Sequence, residues 1–290
     1  MLALLRRRNF ALLWVGGLVS IAGDWVMYAA LPYFVYQQTG STIATAGMTA
    51  AELAPGILLG SVAGVFVDRW NRKRVLVVSN VLQAVAVSSL LLVSSQGWLW
   101  LVFVAAAIAS SLASFSTPAE GALLPTLVDD DDLVPANALN VLNNRLGRLA
   151  GLPLGATLLG AFGLQAVVLV DCASFLLAAC LIAPIVVPTR TTATPEEAPG
   201  EEASSASTVW VAFWAEWLAG LRIVRHDRTI AVVFFVLGLM TFGGTMLDPL
   251  TVAWVRDVLG GGAQMYALLM VVHAAFGIVG SLLIGAVAGE

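Results

Sequence analysis

Four carboxylates stand inside runs of apolar residues: Asp24, Glu52, Asp171 and Asp248. A charge held in hydrocarbon costs at least about 2.5–3.5 kcal/mol on insertion scales, so such groups face a cavity or a partner. Burial disfavours an ionised carboxyl and water restores it. A group of this kind can take up a proton in one state and release it in another. Asp24 and Glu52 lie near the middle of their runs and are the candidate proton-coupling acids. The alternative is a static acid hydrogen-bonded to a neighbouring helix. Asp171 and Asp248 sit towards the ends of their runs, where water can reach them. Arg145 and Arg148, one turn apart, are candidate counter-charges for a cavity acid; otherwise they snorkel to headgroups.

Other chemistries find less to work with. His226 and His273 are the only histidines, too few for a zinc hydrolase. Cys172 and Cys180 lie on one expected helix, about 12 Å apart along its axis, beyond disulfide reach of each other. No phosphate-binding P-loop occurs. Asp129–Asp132 read as a solvated loop and helix start. The expectation is a protein that is not an enzyme, with no cofactor, no metal and no nucleic-acid partner.

The elements that must hold these acids are helices in a membrane. Of 290 residues, 59% are apolar and 11% charged, with mean hydropathy +0.91. Soluble domains carry roughly 45–50% and about 25%. The apolar excess falls in windows long enough to cross the bilayer as helix. Eight spans are expected, at 10–36, 43–67, 75–95, 98–118, 137–162, 165–187, 229–254 and 264–288. Residues 189–208, "PTRTTATPEEAPGEEASSAS", read as a linker that cannot fold. The following "VWVAFWAEWLAGLRIVRHDR" is amphipathic and suits a helix in the membrane interface. With the N-terminus inside, thirteen of the fourteen Lys and Arg residues lie on the cytoplasmic side, Arg256 being the exception; this bias sets the orientation.

Two glycine patterns carry packing information. Gly147, Gly151 and Gly155 recur every four residues, a face for close helix contact, and Pro153 loosens the helix within it. "GSVAG" at 60–64 closes the second span and "GAVAG" at 285–289 the eighth, while Pro32 and Pro249 fall in the first and seventh. A six-span unit, a linker and the same unit restarting is the pattern of a parallel membrane repeat.

The stretch "GVFVDRWNRKR" resembles the signature loop of the major facilitator superfamily, with Gly64, Asp68, Arg69, Arg72 and Lys73 at its positions. Asn71 stands where the family has glycine. "RRRNFALLWVGGLVSIAGDWVMYAALPYFVYQQTGS", "LLPTLVDDDDLVPANALN" and "EWLAGLRIVRHD" are similar to the branch of enterobactin and macrolide exporters. The resemblance implies an all-α integral membrane fold, a helix bundle of the major facilitator type with about eight of twelve transmembrane helices present. It implies that the loop acids and bases pair across the cytoplasmic face and help to hold one access state, and Gly64 is expected to let helices approach. The fifth span partly resembles the exporters' Gly-Pro motif, with Leu152 and Ala156 as departures. The fourth span lacks the arginine of many proton-coupled members.

The expected organisation is an N-terminal six-helix bundle at 1–188, a cytoplasmic linker with an interfacial helix at 189–228, and the first two helices of a C-terminal bundle at 229–290. The expected function is secondary transport in the cell membrane, as a proton-coupled exporter of amphipathic small molecules of drug, macrolide or siderophore type. Substrate, protons and the lipid bilayer are its partners. An importer of a polar solute is one alternative. The repeat would place four more helices beyond residue 290, so another is a truncated chain that does not transport alone.

Overall fold

The computed structural model describes residues 2–93, 96–187, 222, 224–226 and 228–288, and the ordered elements among them are helices. These are α1 (Arg8–Thr39), α2 (Thr42–Arg69), α3 (Arg72–Ser88), α4 (Leu99–Leu127), α5 (Leu133–Ile182), α6 (Arg228–Ala253) and α7 (Ala263–Ala288). Six helices among the described residues are long and apolar enough to cross a membrane. The linker at 189–208 lies outside the described residues, as do most positions of the amphipathic stretch after it.

Short caps set the hairpins. Gly40, at φ 62°, ends α1 and returns its N–H to the Tyr36 carbonyl, while the Ser41 hydroxyl caps α2 by accepting from Ala44 N at 3.2 Å. At the other end of α2, the Asn71 side chain accepts from Arg74 N at 3.0 Å. That accounts for the departure from glycine in the signature loop: an asparagine oxygen satisfies an orphan donor of α3.

The 50 residues of α5 would form a rod of about 75 Å, far longer than a bilayer is thick. Gly163, with φ 77° and ψ −176°, breaks it into two limbs, a conformation that glycine adopts without Cβ penalty. The contacts of α1 give their directions. Ascending α1, Ile21, Trp25 and Val26 meet Gly147, Gly151 and Gly155, so the first limb runs parallel to α1. Gly16 meets Ile182 and Gly23 meets Ser174, so the second limb runs antiparallel. α1 is thus clasped between the limbs. The contact is backbone-close: a Cβ on Gly147 would stand 2.5 Å from Ile21 Cγ2, on Gly151 2.6 Å from Trp25 Cβ, and on Gly155 2.8 Å from Val26 Cα.

The chain divides into two compact units, residues 1–188 with 249–290, and residues 189–248. In the first unit the buried apolar residues form two clusters. One gathers Phe10, Leu13, Leu76, Leu123, Leu139 and Ile182; the other gathers Val26, Tyr36, Val87, Val102, Val168 and Tyr266. Between them the buried polar residues Ser79, Asn80, Gln83, Ser114 and Asn143 form a belt across α3, α4 and α5. Also within this unit, Tyr36 donates a hydrogen bond to the Asp257 carboxylate on the π turn Trp254–Val258. The Tyr33 and Tyr266 rings lie 5.7 Å apart. The described part of the second unit is the greater part of α6, whose apolar side chains, Phe235 among them, are exposed.

Two expectations are corrected here. The fourth span is expected at 98–118; α4 continues through Pro118 and Pro125 to Leu127. Gly64 was expected to admit a neighbouring helix, but a Cβ there would meet nothing within 4 Å.

The glycine contacts carry a stability prediction. Gly155→Ala must push α1 off α5 and should lower stability by about 1–3 kcal/mol, the usual cost of overpacking. Gly64→Ala, into open space, should not lower it. Thermal unfolding of the purified full chain in detergent checks both; equal melting temperatures for the two variants would contradict the clasp.

Candidate functional site

Two cavities lie near the polar belt, and Asn80 and Gln83 of the belt line the larger. The larger, about 610 Å³, reaches toward the cluster around Leu13 and Leu76; the smaller, about 480 Å³, reaches toward Val87 and Leu90. Both are lined by Asp24, Trp25, Ala113 and Thr117. Asp24 therefore stands at their junction, on the stretch of α1 that the two limbs of α5 grip.

Glycine brings a second acid against it. A Cβ on Gly23 would lie 2.9 Å from Ser174 Cβ and would also collide with Asp171 Oδ1. The second limb can therefore lay Asp171 on the α1 backbone beside Asp24, and the two carboxylates interact electrostatically. Asp171 is 1% exposed and lines the smaller cavity. The Ser174 hydroxyl lies 3.4 Å from its Oδ1 and donates at 2.7 Å to its backbone carbonyl.

Glu52 also lines the smaller cavity, and its backbone carbonyl accepts from the Ser110 hydroxyl at 2.5 Å. Asp24, Asp171 and Glu52 thus share one chamber, with acids contributed by α1, α2 and α5. The arginines take different places. Arg148 lays its guanidinium 4.8 Å from the centre of the Trp25 ring, a cation–π contact one residue from Asp24. Its Nε is buried without a hydrogen-bond partner among the described residues. Arg145 is exposed and lines neither cavity.

Glu120 was not foreseen. It lines the larger cavity with Asp24, from the part of α4 that continues beyond Pro118. Its carboxylate and the Asn143 amide meet at Gly17, where a Cβ would lie 3.2 Å from Glu120 Oε1 and 3.3 Å from Asn143 Nδ2. The signal was available in "STPAEGALLP": a lone acid within an apolar stretch, one turn into a helix that the proline did not end.

The signature loop sits apart from the cavities. Its bases act on helix ends: Arg72 Nη1 donates to the Ala122 carbonyl at 3.2 Å and Lys73 Nζ to the Ile185 carbonyl at 2.9 Å. Asp68 and Arg69 are exposed, and neither forms an ion pair among the described residues. The ion pairs at this end instead join Arg7 to Asp129 at 2.9 Å and to Asp132 at 2.8 Å. Asp132 precedes α5 without a side-chain capping bond. Among the described residues no group of three or more His, Cys, Asp and Glu could hold a metal ion.

A multi-pass helix bundle with acids on an internal cavity is the architecture of a membrane carrier. Residues 13–290 match the Major Facilitator Superfamily, and the chain belongs to that family. It is 22% identical over 279 residues to Macrolide efflux protein A of Streptococcus pyogenes, covering 96% of this chain and 66% of that protein. It is 24% identical over 281 residues to the uncharacterized MFS-type transporter YvqJ of Bacillus subtilis, covering 96% and 64%. A shorter match, 27% over 165 residues, joins it to the uncharacterized MFS-type transporter YfiS of the same organism. The chain spans about two thirds of the length of the first two relatives. No solved structure matches it at a significant level.

Two adjacent carboxylates repel when both are ionised. Asp24→Asn should therefore raise the melting temperature of the purified protein, because the remaining acid loses its charged neighbour. Thermal unfolding in detergent checks it. An unchanged or lower melting temperature would show that the two acids do not repel each other.

Proposed function

We propose that the protein is a secondary active transporter, a proton-coupled exporter of amphipathic small molecules, working by alternating access. The observation that carries this reading is the position of Asp24 at the junction of two cavities, beside Asp171 and across a chamber from Glu52. An acid so placed can exchange a proton with whichever chamber is hydrated. Similarity to a protein named for macrolide efflux supports export, and drug-like, macrolide-like or siderophore-like molecules as cargo.

On this reading residues 1–188 form the N-terminal bundle, 189–228 the cytoplasmic linker with its interfacial helix, and 229–290 the opening helices of the C-terminal bundle. The N-terminus is cytoplasmic. Asp24 and Glu52 carry the coupling proton, and Arg148, next to Asp24 through Trp25, supplies the counter-charge. Arg145 remains a headgroup anchor. Gly147, Gly151, Pro153 and Gly155 hold the bundle, and Gly64, Asp68, Arg69, Arg72 and Lys73 set the balance of access states from its rim.

Expression of the full chain in a cell lacking its own efflux pumps tests the reading. Cells carrying the protein should accumulate less of a cationic dye or a macrolide than cells with empty vector, and an uncoupler should abolish the difference. Asp24→Asn should raise accumulation to the empty-vector level while the protein remains in the membrane. Unchanged accumulation across a broad panel would overturn export, and full activity of Asp24→Asn would overturn the coupling role.

A further inference from the structure

Glu120 is an acid with no evident partner. It stands on the wall of the larger cavity and makes no hydrogen bond or ion pair with any described residue. Beside it, Asn143 is 0% exposed, and its Oδ1 is buried without a hydrogen-bond partner. The orientation of that amide is fixed, because its Nδ2 donates to the Trp14 carbonyl at 2.7 Å. The Glu120 carboxylate faces Gly17, which itself lines the cavity, and the Asn143 atom at that contact is the committed Nδ2. An uncompensated carboxylate is costly in a low-dielectric interior. It is an acceptor, so what would relieve it is a positive charge or a donor from outside the protein.

The rest of the wall fits the same occupant. The residues lining the larger cavity include Asp24 and Glu120 but no Lys, Arg or His. The nearest base is Arg148, whose guanidinium is committed to the Trp25 ring and does not line the cavity. Asp171 lies beyond Gly23, beside Asp24, and brings no base to this wall. Asn140 and Asn144, one turn apart on α5, line the cavity with amides that have no partner among the described residues. Leu13, Ile21, Trp25 and Val141 supply apolar wall. At about 610 Å³ the space matches a drug-sized molecule.

We propose that the larger cavity binds an organic cation with an apolar body, and that Glu120 is the residue that recognises its charge. This deepens the transport reading and rests on it for its physiological meaning. It divides the work of the acids: Glu120 reads the cargo, while Asp24, at the junction with the second chamber, handles the proton. It also sets a direction of selectivity, since an anionic siderophore would be repelled from this wall.

The test compares two probes of one shape and opposite charge, tetraphenylphosphonium and tetraphenylborate, by equilibrium dialysis against the purified full chain in detergent. Tetraphenylphosphonium should bind, and Glu120→Gln should weaken it by about tenfold or more, the loss expected when one charge of a desolvated pair is removed. Glu120→Asp should keep most of the binding. Tetraphenylborate should bind weakly if at all, and Glu120→Gln should strengthen its binding, never weaken it. A measurement on the unaltered protein stands beside this one: tetraphenylphosphonium should protect Glu120 from carbodiimide modification, read by mass spectrometry, and tetraphenylborate should not. Binding of the cation that is unchanged in Glu120→Gln, equal weakening of both probes, or absence of protection would overturn the proposal. Binding is read without transport, so the two readings fail separately. Intact cation binding with no efflux in cells removes the transport reading and leaves the site. Efflux with cation binding insensitive to Glu120 removes the site alone.

Discussion

The architecture depends on how closely α1 approaches α5. Three glycines of the first limb, together with Gly23 of α1 facing the second, remove the side chains that would hold the axes apart. Apolar faces gain little from meeting one another in a bilayer, because lipid is as apolar as leucine; close backbone approach is what dispersion can reward. The polar side chains of the belt then meet across short distances. Trp14 donates to the Leu139 carbonyl at 2.9 Å, Asn143 returns a bond to Trp14, and the Ser20 hydroxyl donates to Asn80 Oδ1 at 3.1 Å. Such bonds are typically worth about 0.6 kcal/mol each in a membrane protein. Their larger contribution is to fix register, because a one-residue slip of α1 would misplace all three.

The cavities extend from the level of the belt into the apolar clusters on either side of it, the larger along Leu13, Leu76 and Ile182, the smaller along Val87, Leu90 and Phe175. The acids on their walls face these volumes rather than the apolar packing. Asp24 is at the meeting point of both volumes because the clasp holds that turn of α1 at the centre of the bundle.

Much of the architecture was legible in the sequence. Length and hydropathy mark helices in a membrane, and the "GLQ" at 163–165 separates two spans at the place where Gly163 breaks α5. What the sequence concealed has physical reasons. The apolar run of the fourth span fades by residue 118, yet α4 continues to Leu127 and absorbs Pro118, because proline in a membrane helix can be accommodated by neighbouring groups; Glu120 lies in the part beyond the apolar run. The proximity of Asp171 to Asp24 is a tertiary fact created by Gly23, and spacing along one helix cannot report it. Nor does the charge pattern of the loop say where its bases go. They reach backbone carbonyls, acceptors that every residue offers and no pattern marks. Arg7 pairing with Asp129 and Asp132 was hidden for the complementary reason, since clusters of opposite charge far apart in sequence carry no address.

The bonds of Arg72 and Lys73 have a mechanical meaning. Two adjacent residues at the start of α3 grip carbonyls on α4 and just beyond the end of α5. Three helix ends are thereby fastened by a single knot at one rim of the bundle. Sliding α3 strains both bonds together, whereas sliding α4 or the end of α5 strains one. The fastening therefore makes the start of α3 the common anchor of this rim, and a change of charge in one short loop is felt at the ends of two further helices.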